Sequence, residues 1–405
     1  MFYGPGRKAI GRDGPTERVR WAADAHGQEW IHLIGEDMKE RNGASKERST
    51  TMCLTKRSVK HLQELVMVSF LILLAHGVKT EGAFADTYIT EFGGGATGAY
   101  TFTFDDGILN QWQYALPVLN EHNIHATFFL IGSSVEAWYS VVGGVHVPHV
   151  LNMAAAGHEI GSHTYNHLSL TDLNDVNVHA QMALNQSFFR RYGINIVSMA
   201  YPYSATNERI QAIVSQYIEF ARDGEPITTN SSSWSELNPL DLKWSSRGDN
   251  HYECVDRAIA SRTWAIGVFH QVGQVGVQGV PTAEEFSTFV KYVVTLRDAG
   301  VLWIDTVKNV ASYIRERSIA TVRPRYDAEA NTIKVSLKVG LAYPYIVPLT
   351  LRTSIGDYFV ESISQAEMPI SYKLLDDQTG TLVQYDIVPD GGEVTIRLTD
   401  QSLKS

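Results

Sequence analysis

The sequence predicts an α/β fold: a distorted (β/α) barrel of about seven strands, followed by a small all-β, sandwich-like module. Two patterns carry this prediction. From Tyr100 to residue 316, short β-prone runs alternate with helical stretches, the pattern of a parallel sheet wrapped by helices. From residue 322 to 405 the apolar period becomes two, punctuated by Gly, Asp and Pro, which marks antiparallel strands.

The elements follow in order. Thr101-Phe102-Thr103-Phe104 is a strand run ending at Asp105, and residues 110–122 have a helical pattern. Residues 126–132 (ATFFLIG) make a second strand, and a helix over 148–156 stops at Gly157. HEIGSH (158–163) is a third strand. Asp172 is placed to cap a long helix reaching about Tyr192, with Gly193 after it. IVSMAYPY, FARD, LKWSS and AIGVFHQV are further short strands. An amphipathic helix over 283–298, the strand VLWIDT and a helix over 307–316 complete the series, and repeated units of this kind predict a closed or nearly closed barrel. In the module, Ile333, Val335, Leu337 and Val339 share one face, as do Val394, Ile396 and Leu398. Its expected role is structural, with glycan binding as the alternative, so truncation near Thr321 is expected to leave activity intact.

Composition narrows the partners. The 405 residues are 44% apolar and 19% charged, with a formal net charge of −10 at pH 7, ordinary for a globular chain. No basic stripe argues for nucleic acid; a neutral glycan fits better. Cys53 and Cys254 provide neither a disulfide framework nor a Cys-type zinc site, so any metal must use His and carboxylate ligands. Residues 65–75 (LVMVSFLILLA) follow Lys56, Arg57 and Lys60 and precede Ala83-Phe84-Ala85, the layout of a signal peptide over 52–85; the alternative is a buried core helix. Met52 is then the expected start and residues 1–51 a non-native leader or gene-model extension. A catalytic domain over 86–321 and a secreted or cell-surface location, without stable membrane insertion after cleavage, are expected. Asn185-Gln-Ser and Asn230-Ser-Ser match glycosylation acceptors.

Polar residues gather where strands end: Asp105, Asp106, His163, His167, Tyr203 and His270. In α/β barrels that end builds active sites. His163 and His167 have i, i+4 spacing, which on a helical turn would bring both to one metal. Asp106 would complete a two-His, one-carboxylate set with open positions for water. The bland alternatives are hydrogen-bonded histidines and a simple Asp-Asp-Gly turn.

Thr103-Phe104-Asp105-Asp106-Gly107 resembles the first motif of the polysaccharide deacetylase (NodB-homology) family, carbohydrate esterase family four. His163-Thr164-Tyr165-Asn166-His167 resembles its second motif, Ala200-Tyr201-Pro202-Tyr203 a variant of the third, and Val268-Phe269-His270 the fifth. The resemblance covers roughly residues 97–316. It implies one divalent metal, zinc or alternatively cobalt or another ion, held by Asp106, His163 and His167. It further implies Asp105 as base, His270 as general acid and the Tyr203 backbone N–H as oxyanion donor. The implied reaction is N-deacetylation of an N-acetylhexosamine polymer such as chitin or peptidoglycan. The alternatives are O-acetyl ester hydrolysis on acetylated xylan and, in another class, glycan binding without catalysis. Two departures stand out. Ala200 occupies the position where the family usually carries the Arg that orients the base, and Arg247 is the expected substitute. Asp241, or alternatively Asp249, is the expected support for His270.

Overall fold

The computed structural model describes residues 86–137, 143–223, 229–247, 250–377 and 380–399, with two short strands nearer the N-terminus. The chain divides into two compact units, Met1–Glu81 and Gly82–Ser405. In the first, β1 (Val19–Ala23) and β2 (Glu29–Leu33) pair as an antiparallel hairpin. The expected signal peptide, the rest of the expected leader, and Asp249 lie outside the described residues. Among the described residues no helix is long and apolar enough to cross a membrane.

The second unit is built on a parallel sheet. Its strands are β4 (Gly98–Asp105), β5 (Thr127–Leu130), β6 (Glu159–Ser162), β7 (Ser198–Ala200), β8 (Phe220–Arg222), β9 (Ser246–Arg247), β10 (Trp264–Phe269) and β11 (Leu302–Ile304). The order is β8-β7-β6-β5-β4-β10-β9, with β11 also paired to β4. Every residue of β4 is buried, as a strand covered on both faces must be. β5 pairs with its C-terminal end (Thr103–Asp105) and β11 with its N-terminal end (Gly98–Tyr100), while β10 runs along Ala99–Phe104.

Closure is irregular. Between β8 and β10 the chain segment 239–247 bonds to both sides: Leu242 N donates to Ala221 O (2.9 Å) and Ser245 N to Ile266 O (2.7 Å). That segment closes the distorted barrel the sequence predicts. Helices Val147–Ala155, Ala283–Asp298 and Val307–Ile319 lie close to their expected spans. The stretch expected as one helix over 110–122 is a π-helical turn, Gln111–Ala115, continued by an α-helix, Leu116–Glu121. The long helix runs Asp175–Arg190 and is capped by Asn174, whose Oδ1 accepts from Asn177 N, instead of by Asp172, which sits in a short 3-10 turn. The helix His251–Ser261 has no counterpart in the sequence prediction.

The β-module is a two-sheet antiparallel sandwich. One sheet has the order β12 (Thr321–Asp327), β13 (Thr332–Lys338), β19 (Val394–Thr399), β15 (Phe359–Gln365), β16 (Met368–Pro369). The other has β17 (Tyr372–Asp377), β18 (Gly380–Ile387), β14 (Leu349–Gly356) and, unexpectedly, β3 (Thr87–Ile89). Ile333, Val335, Leu337, Val394, Ile396 and Leu398 fill its core as predicted. β3 pairs with Thr353–Leu351 of β14, so the chain contributes to the sandwich before it enters the barrel. The span 86–321 expected for the catalytic domain therefore includes three residues, 87–89, that pair into the module.

The sandwich packs against the N-terminal ends of the barrel strands. Arg352 Nη2 donates to Gly95 O (3.2 Å) and Gln384 Nε2 to Gly94 O (2.9 Å), both in the turn leading into β4. Gly95 has φ +74°, and a Cβ there would sit 2.3 Å from Gln384 Oε1, so only glycine allows the approach. Tyr345 donates to Glu219, just before β8 (3.1 Å), and Tyr313 of the barrel helix Val307–Ile319 is fully buried in the sandwich core. The module thus covers the end of the barrel opposite the strand C-termini. This placement adds a stability cost to the truncation that was expected to leave activity intact. A chain ending at Ala320 should leave Tyr313 and buried Glu316 uncovered, cost several kcal/mol, and melt roughly 10 °C or more below the full chain. Thermal unfolding followed by circular dichroism tests this; equal melting temperatures would make the module a passive spacer.

Candidate active site

β4 ends at Asp105, and the chain turns at once: Asp106 has φ 72° and Gly107 φ 70°. The turn is what allows neighbouring carboxylates, which would face opposite sides of a continuing strand, to reach the same cleft. Asp105, Asp106, His163, His167, Tyr203 and His270 all line one cleft of about 400 Å3, together with Tyr201, Arg222 and Trp244.

His163 and His167 do not share a helical face. Residues 163–167 form a loop after β6, with Thr164 at φ 64° and His167 at φ 55°. Its shape is held from both sides. Thr164 N donates to Ser162 Oγ (3.1 Å) and His167 N to Thr164 Oγ1 (3.0 Å). From the helix Asp175–Arg190, Gln181 Oε1 accepts from Asn166 N (2.8 Å) and Asn185 Nδ2 donates to Thr164 O (2.5 Å). Asn185 is therefore buried and occupied in the folded chain, and Asn230 is likewise buried, its side chain bonded to Lys243 and Trp264. Neither is a glycosylation acceptor in this fold.

Three ligand-type side chains converge. Asp106 Oδ1 lies 3.5 Å from His163 Nε2 and 3.4 Å from His167 Nε2, and the two Nε2 atoms are 3.1 Å apart. Tetrahedral ligand atoms at zinc–nitrogen distances would be about 3.3 Å apart. Tautomers sharpen the fit. His163 Nδ1 is 2.8 Å from Ala200 O, which can only accept, so this contact selects the Nδ1–H tautomer, in which Nε2 is the ligand atom. His167 Nδ1 lies 3.2 Å from the Tyr203 hydroxyl, leaving its Nε2 for the same point. Burial and the neighbouring His163 lower the His167 pKa despite Asp106 and Asp105, favouring its neutral form. Burial works to raise the Asp106 pKa, but His163 and the other surrounding imidazoles hold it below the ordinary value. Two imidazole nitrogens and a carboxylate oxygen this close together match the donor set and spacing of a divalent metal site, so these residues fit such an ion. Among the described residues this is the one such group.

Beside it lies the second pair. Asp105 is 4% exposed, and Arg222 Nη2 donates to both its oxygens (2.7 and 2.5 Å). Burial pushes the Asp105 carboxyl up, but Arg222, then His163 and His270, bring it below its usual value. His270 Nε2 is 3.8 Å from Asp105 Oδ2. Arg222 is the residue that sequence reasoning missed. It stands at the end of FARD, and its Cα is the cross-strand partner of Ala200. The guanidinium absent from Ala200 is thus supplied one strand over. Arg247, the expected substitute, lies on β9, and its side chain is outside the described residues. Asp241, expected to support His270, instead accepts from Lys243 Nζ (2.9 Å), which also binds Asp223 (2.6 Å); burial and Asp223 raise the Asp241 pKa to about 6.

Tyr203 has φ 56° and ψ 13°, and its 70% exposed side chain packs its ring 4.6 Å from that of His167 at the cleft rim. Of the tryptophans, Trp244 lines the cleft, whereas Trp264 is wholly buried in the core.

Several known proteins are similar to this chain in sequence. Residues 95–218 match the family described as "Polysaccharide deacetylase". A gellan lyase from Bacillus sp is 24% identical over a stretch covering 74% of this chain but 13% of that protein. A chitin deacetylase from Pestalotiopsis sp is 35% identical over 27% of this chain and 35% of that protein. A peptidoglycan-N-acetylglucosamine deacetylase from Bacillus cereus is 32% identical over 28% of this chain and 40% of that protein. The aligned stretches thus span well under half the length of these curated relatives. The matched residues lie in the barrel, and through them the chain is similar to the polysaccharide deacetylase family.

Proposed function

We propose that this chain is a metal-dependent hydrolase that removes acetyl groups from a polysaccharide, N-deacetylating an N-acetylhexosamine polymer of the chitin or peptidoglycan type. The observation that carries the reading is the convergence of two imidazole lone pairs and the Asp106 carboxylate beside the Asp105–His270 pair. The names of the chitin and peptidoglycan deacetylase relatives support the substrate class.

Each side chain has a task. Asp105, kept ionised by Arg222, accepts the proton of the attacking water. Asp106, His163 and His167 would hold a divalent ion, zinc by their donor set. When bound, that ion supplies Lewis acidity to the acyl oxygen and lowers the pKa of water at the site. His270 donates a proton to the departing nitrogen. The Tyr203 backbone N–H is the proposed second donor to the developing oxyanion. The signal-peptide-like layout of residues 52–85 supports export to where such polymers occur.

Acetate release from chitin oligomers and acetylated xylan, measured side by side, tests the reading. Release should be abolished by a chelator, restored by zinc, and faster from chitin oligomers; preference for xylan would make the chain an O-acetyl esterase. Asp105→Asn should lower kcat about 10²–10⁴-fold. His163→Ala should lose the metal, read by elemental analysis. A wild-type chain that binds no metal and releases no acetate would favour glycan binding without catalysis.

Arg222→Met separates charge from packing. Asp105 has a folded pKa below its unfolded value, so its stabilising contribution exists above the unfolded value and is lost as pH falls through the folded one. Without the guanidinium the Asp105 pKa rises, and the acid limb of kcat/KM should move to higher pH. Breaking a buried pair should cost about 3–5 kcal/mol in denaturant unfolding. Adding Ala200→Arg to Arg222→Ala should recover part of the activity, because the two positions face each other across β7 and β8. Asn185→Leu should weaken metal affinity roughly 10–100-fold through the 163–167 loop, as seen by competition with a chelating dye.

A further inference from the structure

We propose that Gln111 is a positioning residue that fixes the reach between Asp105 and His270, and so selects for acyl groups on a poor, amine-type leaving group. This rests on the hydrolase reading above.

Gln111 is fully buried at the start of the π-helical turn Gln111–Ala115. Its Nε2 donates to the main-chain carbonyls of Asp105 (2.6 Å) and His270 (2.7 Å). Two carbonyls facing one amide end identify that end as nitrogen. The placement is informative. β4 and β10 pair in parallel up to Phe104 opposite Phe269, and the ladder stops there. Asp105 and His270 are the next residue on each strand. Beyond the last ladder pair, the Gln111 amide joins the two backbones where main-chain pairing has ended. Asn110 continues the connection, its Oδ1 accepting from Val272 N (3.4 Å). A π-helical turn, with its extra residue, re-aims a side chain in this way and recurs at functional sites.

Stability alone does not account for the residue. Gln111 Oε1 is buried and has no hydrogen-bond partner among the described residues, a penalty that an apolar side chain of the same size would avoid. Both amide hydrogens are spent on the two residues whose side chains face each other across 3.8 Å.

The chemistry depends on that spacing. Water adds to the acyl carbon as its proton passes to Asp105. The C–N bond then breaks, and the nitrogen leaves as the amine with a proton from His270, acetate being the other product. An amine cannot leave without that proton, whereas 4-nitrophenolate can. Misplacing His270 relative to Asp105 therefore penalises amides more than activated esters.

The test uses the zinc-loaded full chain and Gln111→Met, which keeps shape and loses the donor, with Gln111→Glu as a second variant. Metal stoichiometry and melting temperature are recorded for each. Gln111→Met should bind one zinc as wild type does. On chitin oligomers kcat should fall roughly 10–100-fold with KM little changed, while hydrolysis of 4-nitrophenyl acetate changes about threefold or less. Equal losses on both substrates, an unchanged kcat, or an effect confined to KM would overturn the proposal. So would failure of both variants to fold, which would make Gln111 structural only. A wild-type chain that leaves chitin oligomers untouched would instead overturn the reading as a deacetylase of chitin-type polymers, and the role of Gln111 with it.

Discussion

Arg222 and Asp105 face each other across the mouth of the barrel, one on β8 and the other on β4, with β5, β6 and β7 between them in the sheet. Both are almost wholly buried, so neither charge is tolerable without its partner. The pair holds the catalytic-type carboxylate in one place and staples the irregular side of the barrel, where 239–247 substitutes for a regular strand. β7, next to β8, adds the Ala200 carbonyl that sets the His163 tautomer. Two neighbouring strand ends therefore govern both halves of the site: one orients the His163 imidazole, the other the Asp105 carboxylate.

Around this pair the rim is made of backbone that L-residues seldom adopt. Asp106, Thr164, His167, Tyr203 and Ser204 all have positive φ, each at a cost of about 1–3 kcal/mol when forced on a non-glycine residue. Such geometry persists because neighbours over-determine it. Gln181 and Asn185 lie one helical turn apart on one helix and bind the 163–167 loop together. The loop's contribution is directional: it brings two imidazoles 3.1 Å apart at positions that a helix would have set on successive turns.

Strand-end polarity made the site legible. A β-prone run ending in Asp-Asp, or HEIGS ending in His, shows in the local pattern where a side chain must emerge, and all six residues reach the cleft. The sandwich strands were legible for a similar reason, since Ile333, Val335 and Leu337 alternate regularly. What was not legible depended on register between distant strands. Nothing near Arg222 in the sequence signals that it faces Ala200, because that relation is set by the β7–β8 pairing. Arg247 was preferred only for its neighbourhood in the chain. Asp241 was read as a support for His270, but its partner is Lys243, two residues on. The π-helical turn at Gln111 was hidden because its apolar spacing differs from an α-helix by a single residue.

The strand β3 has a consequence for how the molecule is made. Thr87 meets Thr353, its Oγ1 3.0 Å away across 266 residues of chain, and Thr90 meets Tyr313. The first described strand of this unit therefore has no sheet to join until β14 has been made. The barrel that follows must wait with its N-terminal end uncovered, exposing apolar surface that only the module strands can hide. Loop closure over such a span is slow, and domains that fold as they emerge normally avoid it. Making the module strands is thus the step that seals the barrel.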